Sequence, residues 1–309
     1  MATPSAQSST HAAVAAMGIK APLGIIRVPT VKPTGSQVRV HVEWTASTPL
    51  DLHQNDGGLM VQHPQVLGDG TGGTVVEVGS DVKRLKVGDK VFGFTWRNQT
   101  EKAHQKLIDQ LPTGFTLPQA VTLPNNFVTV FHALTADLNI ETPWPKPKDY
   151  VPKNADGPVL IWGGSSSVGQ FAIQILRYYG YKNILAAASQ KHHEKLLALG
   201  ARQAFDYRDN DVTSKIIEGG GSNGILLFLD CIGSKNGSIA PIAKIANAGS
   251  KVAVLLPVIV RDSTETEDPE YEMDVKVAAE WKEGVEARGV RTHFYLDVSD
   301  AEFMILASG

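Results

Sequence analysis

The chain has 309 residues, with 29 Lys+Arg against 32 Asp+Glu and a single Cys. That length suggests two domains of about 150 residues, each able to bury a core. The near balance of charge argues against a nucleic-acid or anionic-membrane partner, and one Cys excludes a disulfide framework or a site built on several thiolates. No apolar run approaches the roughly 18 residues of a membrane span. Residues 1–16 are small and polar, with no basic start followed by an apolar stretch. They read as a flexible extension of a cytoplasmic protein.

Residues 17–130 are dense in Gly, Val and turn residues. The segment 37–42 alternates at period two, 74–78 does the same and ends at Gly79, and 86–93 is a turn feeding a strand. Short strands split by Gly turns predict an irregular β-barrel. The stretch 142–158 holds five of the 17 prolines. Proline fixes φ and removes a donor, so this stretch is a stiff connector or surface loop. The rhythm then changes to strands at 158–162, 183–187, 203–206, 225–230 and 251–256. Helices are expected at 166–179, 192–199, 211–218 and 236–247. Val290 to Leu296 looks like a sixth strand. Alternating strands and helices define an α/β fold with a parallel, doubly wound sheet over 131–297. The acidic run 262–272 is most simply a solvated loop.

The strongest chemical signal follows the strand at 158–162: Gly163, Gly164, Ser165, Ser166, Ser167, Val168 and Gly169, opening an amphipathic helix. A helix start presents unpaired N–H groups and a positive dipole end, which suits a pyrophosphate. Gly163 permits the tight turn, and Gly169 lets the helix approach the sheet. A purely structural turn is the alternative. About 20 residues past Gly169, where an NAD-preferring fold places a carboxylate, the chain reads Ser189, Gln190, Lys191, His192 and His193. Ser189, Lys191 and His192 suit a 2′-phosphate, so NADP(H) is favoured over NAD(H). Otherwise Lys191 and His192 are ordinary solvated residues of a first helical turn.

Several stretches in this order resemble one family: 64–68, Gly73 to Gly79, Val87 to Val91, the 163–169 turn, Leu199-Gly200-Ala201 and Phe205-Asp206-Tyr207-Arg208. The chain is similar to the medium-chain dehydrogenase/reductases, in the zinc-independent quinone oxidoreductase and enoyl reductase branch, with fungal enoyl-reductase-like members nearest. The resemblance implies a chaperonin-10-like β-barrel catalytic domain plus a Rossmann domain, with the cofactor in the cleft between them. It implies that Tyr207 stacks near the 2′-phosphate of NADPH; taken alone, Tyr207 reads as a half-buried surface aromatic. Zinc-dependent relatives need an early Cys ligand and a Gly-His-Glu. Here the first place reads Ala46 to Asp51, and the second holds Gly68, Asp69 and Gly70. No zinc or other metal is expected. Cys231 reads as a packed small residue rather than a nucleophile.

Hydride transfer to an activated C=C or a quinone needs no Lewis acid, only hydrogen bonds and a proton for the developing oxyanion. The resemblance places Thr48, Pro49, Leu50 and Asp51 at the nicotinamide end, with Thr48 standing for the branch's Asn. Asp51 anchors that loop or meets a nicotinamide ribose. It sets 123–130 as the helix start facing substrate and cofactor. Phe127 lines that start, and Asn126 and Thr129 are its polar candidates; equally they read as a cap and a satisfied hydroxyl. Ile232, Leu255 and Leu256, at the carboxyl ends of the fourth and fifth Rossmann strands, are expected at the nicotinamide and ribose. Thr48, Asp51 and Asn126 are thus the catalytic candidates.

The tail 298–309 does not resemble the family's returning C-terminal segment, so part of the catalytic half is expected to be lacking. The function expected is an NADPH-dependent, zinc-independent oxidoreductase of an enoyl, enone or quinone substrate. The alternative is a catalytically weak nucleotide-binding or regulatory homologue. The expected partner is a small molecule, with no nucleic acid and no membrane. A homodimer formed through the last Rossmann strand is a family-based expectation.

Overall fold

The computed structural model describes residues 10–95, 105–222 and 224–292. They pack as two compact units: residues up to Asn125 together with Ser263–Asp268, and Asn126–Asp262 together with residues from Pro269 on.

In the first unit β1 (Thr10–Ala16) lies between β2 (Gly24–Pro29) and the short β4 (Gln65–Val66), all antiparallel. Residues 10–16 are therefore not part of an extension, as their polar composition suggested. Backbone pairing with β2 orders them, and Ala15 and Ala16 are fully buried at the far end. A second antiparallel sheet runs β3 (Val38–Trp44), β5 (Gly70–Val78), β6 (Lys90–Thr95) and β7 (Gln105–Gln110). Short antiparallel strands in two sheets give the barrel-like character that the Gly-punctuated sequence predicts. Two short helices complete the unit, α1 (Pro49–Gly57) and α2 (Leu117–Ala120), each with proline in its first turn, where the missing N–H costs nothing.

The second unit begins within α3 (Pro124–His132), which runs into a π-helical turn, Ala133–Asp137. Its sheet contains β8 (Val159–Trp162), β9 (Ile184–Ala187), β10 (Gln203–Phe205), β11 (Leu227–Asp230) and β12 (Lys251–Leu255). The helices α4 (Ser167–Tyr179), α5 (His193–Leu199), α6 (Val212–Gly220) and α7 (Ala240–Ile245) alternate with those strands. A hairpin of β13 (Val258–Arg261) and β14 (Glu270–Glu272) precedes β15 (Glu286–Val290). The six sheet strands are parallel in the order β10-β9-β8-β11-β12-β15. Sequence order thus reverses between β8 and β11, the switch point where doubly wound sheets bind ligands. β8 and β9 are buried along their whole length, as strands covered on both faces must be. On α4 the buried residues Val168, Ala172, Ile173 and Leu176 recur at three- and four-residue spacing, while Arg177 and Tyr178 face outward.

Two expectations are corrected. The sixth strand is Glu286–Val290, not 290–296, of which 293–296 lie outside the described residues. The β-branched and aromatic run Thr292 to Leu296 reads more like a strand than Glu-Ala-Arg-Gly-Val does. Parallel pairing with β12, Lys251 opposite Glu286 through Leu255 opposite Val290, makes Glu286–Val290 the strand despite its charges and glycine. The acidic run 262–272 is not simply solvated. Its end forms β14, and its tip is held in the first unit by Lys20. The Lys20 ammonium donates to the carbonyls of Thr264 and Glu267 at 3.0 and 2.8 Å and pairs with Asp268 at 3.0 Å. The tail 298–309 lies outside the described residues.

Candidate active site

The turn after β8 is built by two glycines. Gly163 has φ +78°, and a Cβ there would stand 2.6 Å from Ile232 Cδ1. A Cβ on Gly169 would stand 2.5 Å from the Gly163 carbonyl oxygen and 2.7 Å from Gly164 Cα. The amides of Gly163 and Gly164 both donate to the Ala187 carbonyl at 3.0 Å, tying the turn to β9. Ser166 caps α4, its hydroxyl accepting from the Gly169 amide at 3.0 Å. The Gln170 side chain donates to the Ser165 carbonyl at 2.7 Å. Among the described residues the Ser167 and Val168 amides then have no partner at the helix mouth. Two free donors at a positive dipole end fit a pyrophosphate.

The carboxyl ends of β11 and β12 lie beside this turn. Asp230, fully buried, accepts from the amides of Ile232 (2.9 Å) and Gly233 (3.2 Å) and from the Ser238 hydroxyl (2.6 Å). Burial pushes its carboxyl up to about 6, against those three bonds. Asp230 thereby holds Ile232, itself 43% exposed, over Gly163. Leu255 and Leu256 are half-buried at the end of β12. Cys231 is half-buried too; desolvation raises its thiol and the Asp230 charge raises it further, which favours the thiol over the thiolate. The sequence places the run 230–233 at the ligand crevice, and the structure adds the Asp230 side-chain bonds to Ile232, Gly233 and Ser238.

At the adenosine end, Ser189 is half-buried, Lys191 exposed and His192 half-buried, on a 3₁₀ turn that leads into α5. Among the described residues Lys191 has no polar partner. His193, which sequence reading did not single out, bonds through Nε2 to the Ala188 carbonyl at 3.0 Å. Tyr207 follows β10 and is 46% exposed, with the Arg208 guanidinium 5.8 Å from its ring centroid.

In the first unit, Thr48 precedes α1 and its amide donates to Asp51 Oδ2 at 2.8 Å. Asp51 is 6% exposed, and its Oδ1 accepts from the Gly68 amide at 2.8 Å. Both Asp51 oxygens accept from backbone amides, and Oδ2 also accepts from the Thr48 hydroxyl at 3.4 Å. Asp51 fastens the Thr48 loop to Gly68-Asp69-Gly70. Asp69 is buried in turn, with the Asn125 amide 3.4 Å from its Oδ2. Among the described residues, no three His, Cys, Asp or Glu side chains converge as a metal site would need. No described helix is long and apolar enough to cross a membrane.

On α3, Asn126 is half-buried and Phe127 is 42% exposed. The Phe127 ring lies 4.9 Å from that of Phe131 and edge-on to Phe171 of α4 at 5.8 Å. Thr129 is the other polar candidate on this helix. It is 7% exposed and its hydroxyl bonds that of Thr292 at 3.2 Å. The helical period puts 129 on the face roughly opposite exposed 127.

A β-rich unit and a doubly wound unit whose switch point carries a helix start with free amides make the two-domain organisation of a nucleotide-binding protein. Family models agree: an alcohol dehydrogenase GroES-like domain matches residues 34–131, and a zinc-binding dehydrogenase model matches residues 167–257. The trans-enoyl reductase tazE of Aspergillus terreus is 33% identical over 223 residues, covering 67% of this chain and 71% of that one. The enoyl reductase component lovC of the lovastatin nonaketide synthase, also from Aspergillus terreus, is 30% identical over 234 residues. That match covers 72% of this chain and 62% of lovC. Among solved structures the CurK enoyl reductase has a TM-score of 0.73 at 18% identity, covering 96% of this chain and 85% of that one, a likeness of fold. The chain belongs to the medium-chain dehydrogenase/reductase family, in its enoyl-reductase-like branch. It spans 71% of the length of tazE and 62% of lovC in these matches.

Proposed function

We propose that the protein is an NADPH-dependent reductase that delivers hydride, without zinc, to an activated C=C of an enone or enoyl thioester, or to a quinone. The observation that supports this reading is the α4 mouth: two unpartnered amides on a helix start that Gly169 lets pack close against the Gly163–Gly164 turn. The names of the relatives tazE and lovC, both enoyl reductases, support the acceptor class.

The nicotinamide, when bound, supplies the hydride. The Ser167 and Val168 amides bind the pyrophosphate, with Gly163, Ser165, Ser166 and Gly169 shaping the turn that presents them. Ser189, Lys191, His192 and Tyr207 meet the 2′-phosphate. Ile232, Leu255 and Leu256 wall the nicotinamide and its ribose with apolar surface and exclude water. Phe127 lines the acceptor's binding surface. Asn126 donates a hydrogen bond to the oxygen on which charge develops, which lowers the barrier most where water is excluded. Asp51 fixes the Thr48 loop. Holding donor and acceptor carbons about 3–3.5 Å apart accounts for much of the rate, so no strong base is needed. Zinc has no place in this scheme because Asp69 and Gly70 stand where zinc-dependent relatives carry His and Glu.

The test follows NADPH absorbance with the purified chain and a panel of enoyl thioesters, enones and quinones. Turnover on at least one class is expected. Tight NADPH binding with no turnover on any would refute the reductase and leave a nucleotide-binding homologue.

A further inference from the structure

The β13–β14 hairpin follows directly on Leu255 and Leu256. Pro257 leads straight into β13, whose first residue, Val258, is fully buried. The Ile259 amide donates to the Gly233 carbonyl at 2.7 Å, and Ile259 bridges Ser234. Gly233 sits close against the same stretch: a Cβ there would stand 2.6 Å from the Leu255 carbonyl oxygen and 2.9 Å from that of Pro257. The loop that carries Ile232, the end of β12 and the base of the hairpin are therefore packed as one piece.

The tip at the other end is a closed turn. The Thr264 amide donates to the Glu267 carbonyl at 3.1 Å, and the Thr264 hydroxyl accepts from the amides of Thr266 (3.3 Å) and Glu267 (3.0 Å). The carbonyls of Thr264 and Glu267 and the Asp268 carboxylate surround the Lys20 ammonium at 3.0, 2.8 and 3.0 Å. An ammonium has three protons to give, and one turn supplies three acceptors for them. The Lys20 side chain is 29% exposed, whereas that of Asp268 is 79% exposed. An ion pair so open to water contributes little, so the two carbonyl bonds do most of the fastening. The Lys20 backbone is unusual as well. Its φ is +56°, a region that glycine favours, and its amide donates to the Asn55 carbonyl of α1 at 2.8 Å. A side chain kept on a backbone that would suit glycine points to a use for that side chain.

We infer that Lys20 is a positioning residue: its ammonium pins the tip of the β13–β14 hairpin, and the pinned hairpin keeps Leu255 and Leu256 in place against the bound nucleotide. Unpinned, β13 peels from Gly233, the wall loosens and the nucleotide leaves sooner. This rests on the reading of Leu255 and Leu256 as a nicotinamide wall and adds what holds that wall.

The test uses the full chain and reads the two links separately. Hydrogen exchange over 258–272, followed by mass spectrometry without nucleotide, reports the pin. Release of NADPH in a stopped-flow displacement reports the wall. Lys20→Gly deletes the ammonium while easing the backbone, so the chain should melt close to wild type. It should speed both exchange over 258–272 and NADPH release roughly tenfold, the scale of hydrogen bonds given by a charged group. Lys20→Arg, which keeps donors for both carbonyls, should restore both to within about threefold of wild type. Asp268→Asn should leave both within about twofold. Unchanged exchange over 258–272 in Lys20→Gly overturns the pin. Faster exchange with unchanged NADPH release overturns the effect on the nucleotide. A purely structural role would raise exchange throughout the chain and lower the melting temperature, and that result also overturns the inference. A wild type that binds no NADPH overturns the nucleotide reading and the wall with it, a failure that the exchange measurement distinguishes from loss of the pin.

Discussion

In Gly169→Ala the added methyl would meet the Gly163 carbonyl oxygen at 2.5 Å, Gly164 Cα at 2.7 Å and the Gly164 carbonyl carbon at 2.9 Å. All three are backbone atoms, so no rotamer change relieves the contact. Real Cβ atoms essentially never approach within 3.0 Å, so α4 must retreat from the turn or the turn must open. Overpacking of this kind costs about 1–3 kcal/mol in stability. The same displacement moves the Ser167 and Val168 amides away from the place where a pyrophosphate would sit. Losing one hydrogen bond to a charged group costs about 1.5–3 kcal/mol, or roughly 10–100-fold in Kd. Calorimetric titration with NADPH, with a thermal melt on the same sample, reads both effects. Ser167→Ala is the control: its side chain is exposed and the amide remains, so its affinity stays within about threefold. Gly169→Ala binding NADPH within about twofold of wild type would refute the amide cradle.

Three further perturbations bear on the account. Asp51→Ala leaves the Thr48 and Gly68 amides without their acceptor and should cost about 2–4 kcal/mol by denaturant unfolding. If it melts like wild type yet loses turnover, Asp51 works at the cofactor and not as an anchor. Ser166→Ala removes the α4 cap and should cost about 1 kcal/mol and loosen NADPH severalfold; an unchanged melt would contradict the capping role. Asp137, at the end of the π-helical turn, is raised from 3.8 to about 6 by burial, and its Oδ2 has no hydrogen-bond partner among the described residues. Burial also lowers His132, 3.9 Å away, so the two are not an ion pair at neutral pH. A raised acid contributes stability that is present below about pH 4 and lost as pH rises through about 6. Asp137→Asn, neutral throughout, should therefore gain about 1–2 kcal/mol over wild type at pH 8, after allowance for partial exposure. The gain should vanish near pH 4, and an equal difference at both pH values would contradict the assignment.

Much of the Rossmann unit was legible because its signals are local. Buried strands such as Val159–Trp162 are continuous apolar runs, and the Gly163–Gly169 turn needs specific residue types. The cap at Ser166 and the amphipathic face of α4 follow from the same few residues. What escaped depended on partners distant in sequence. Thr10–Ala16 looked like a polar extension because only pairing with Gly24–Pro29 makes it a strand. Glu286–Val290 carries charges and a glycine, and only its parallel register with Lys251–Leu255 identifies it. Lys20 reaches the 263–268 tip across more than two hundred residues, a contact no window of sequence contains. At the site, the empty ribose-acid position at Ser189 was visible. The acid Asp206 was visible as a residue too, but its bonds to Arg208 and to the Gln190 amide required coordinates.

The central claim is hydride transfer from NADPH to an activated double bond. It is tested most directly with NADPH deuterated at the transferring position of the nicotinamide ring and an enoyl thioester, with the product read by mass spectrometry. The account predicts one deuterium at the carbon β to the thioester carbonyl and none from labelled NADH at matched concentration. Product lacking deuterium, or no product while labelled NADPH remains tightly bound, would contradict it.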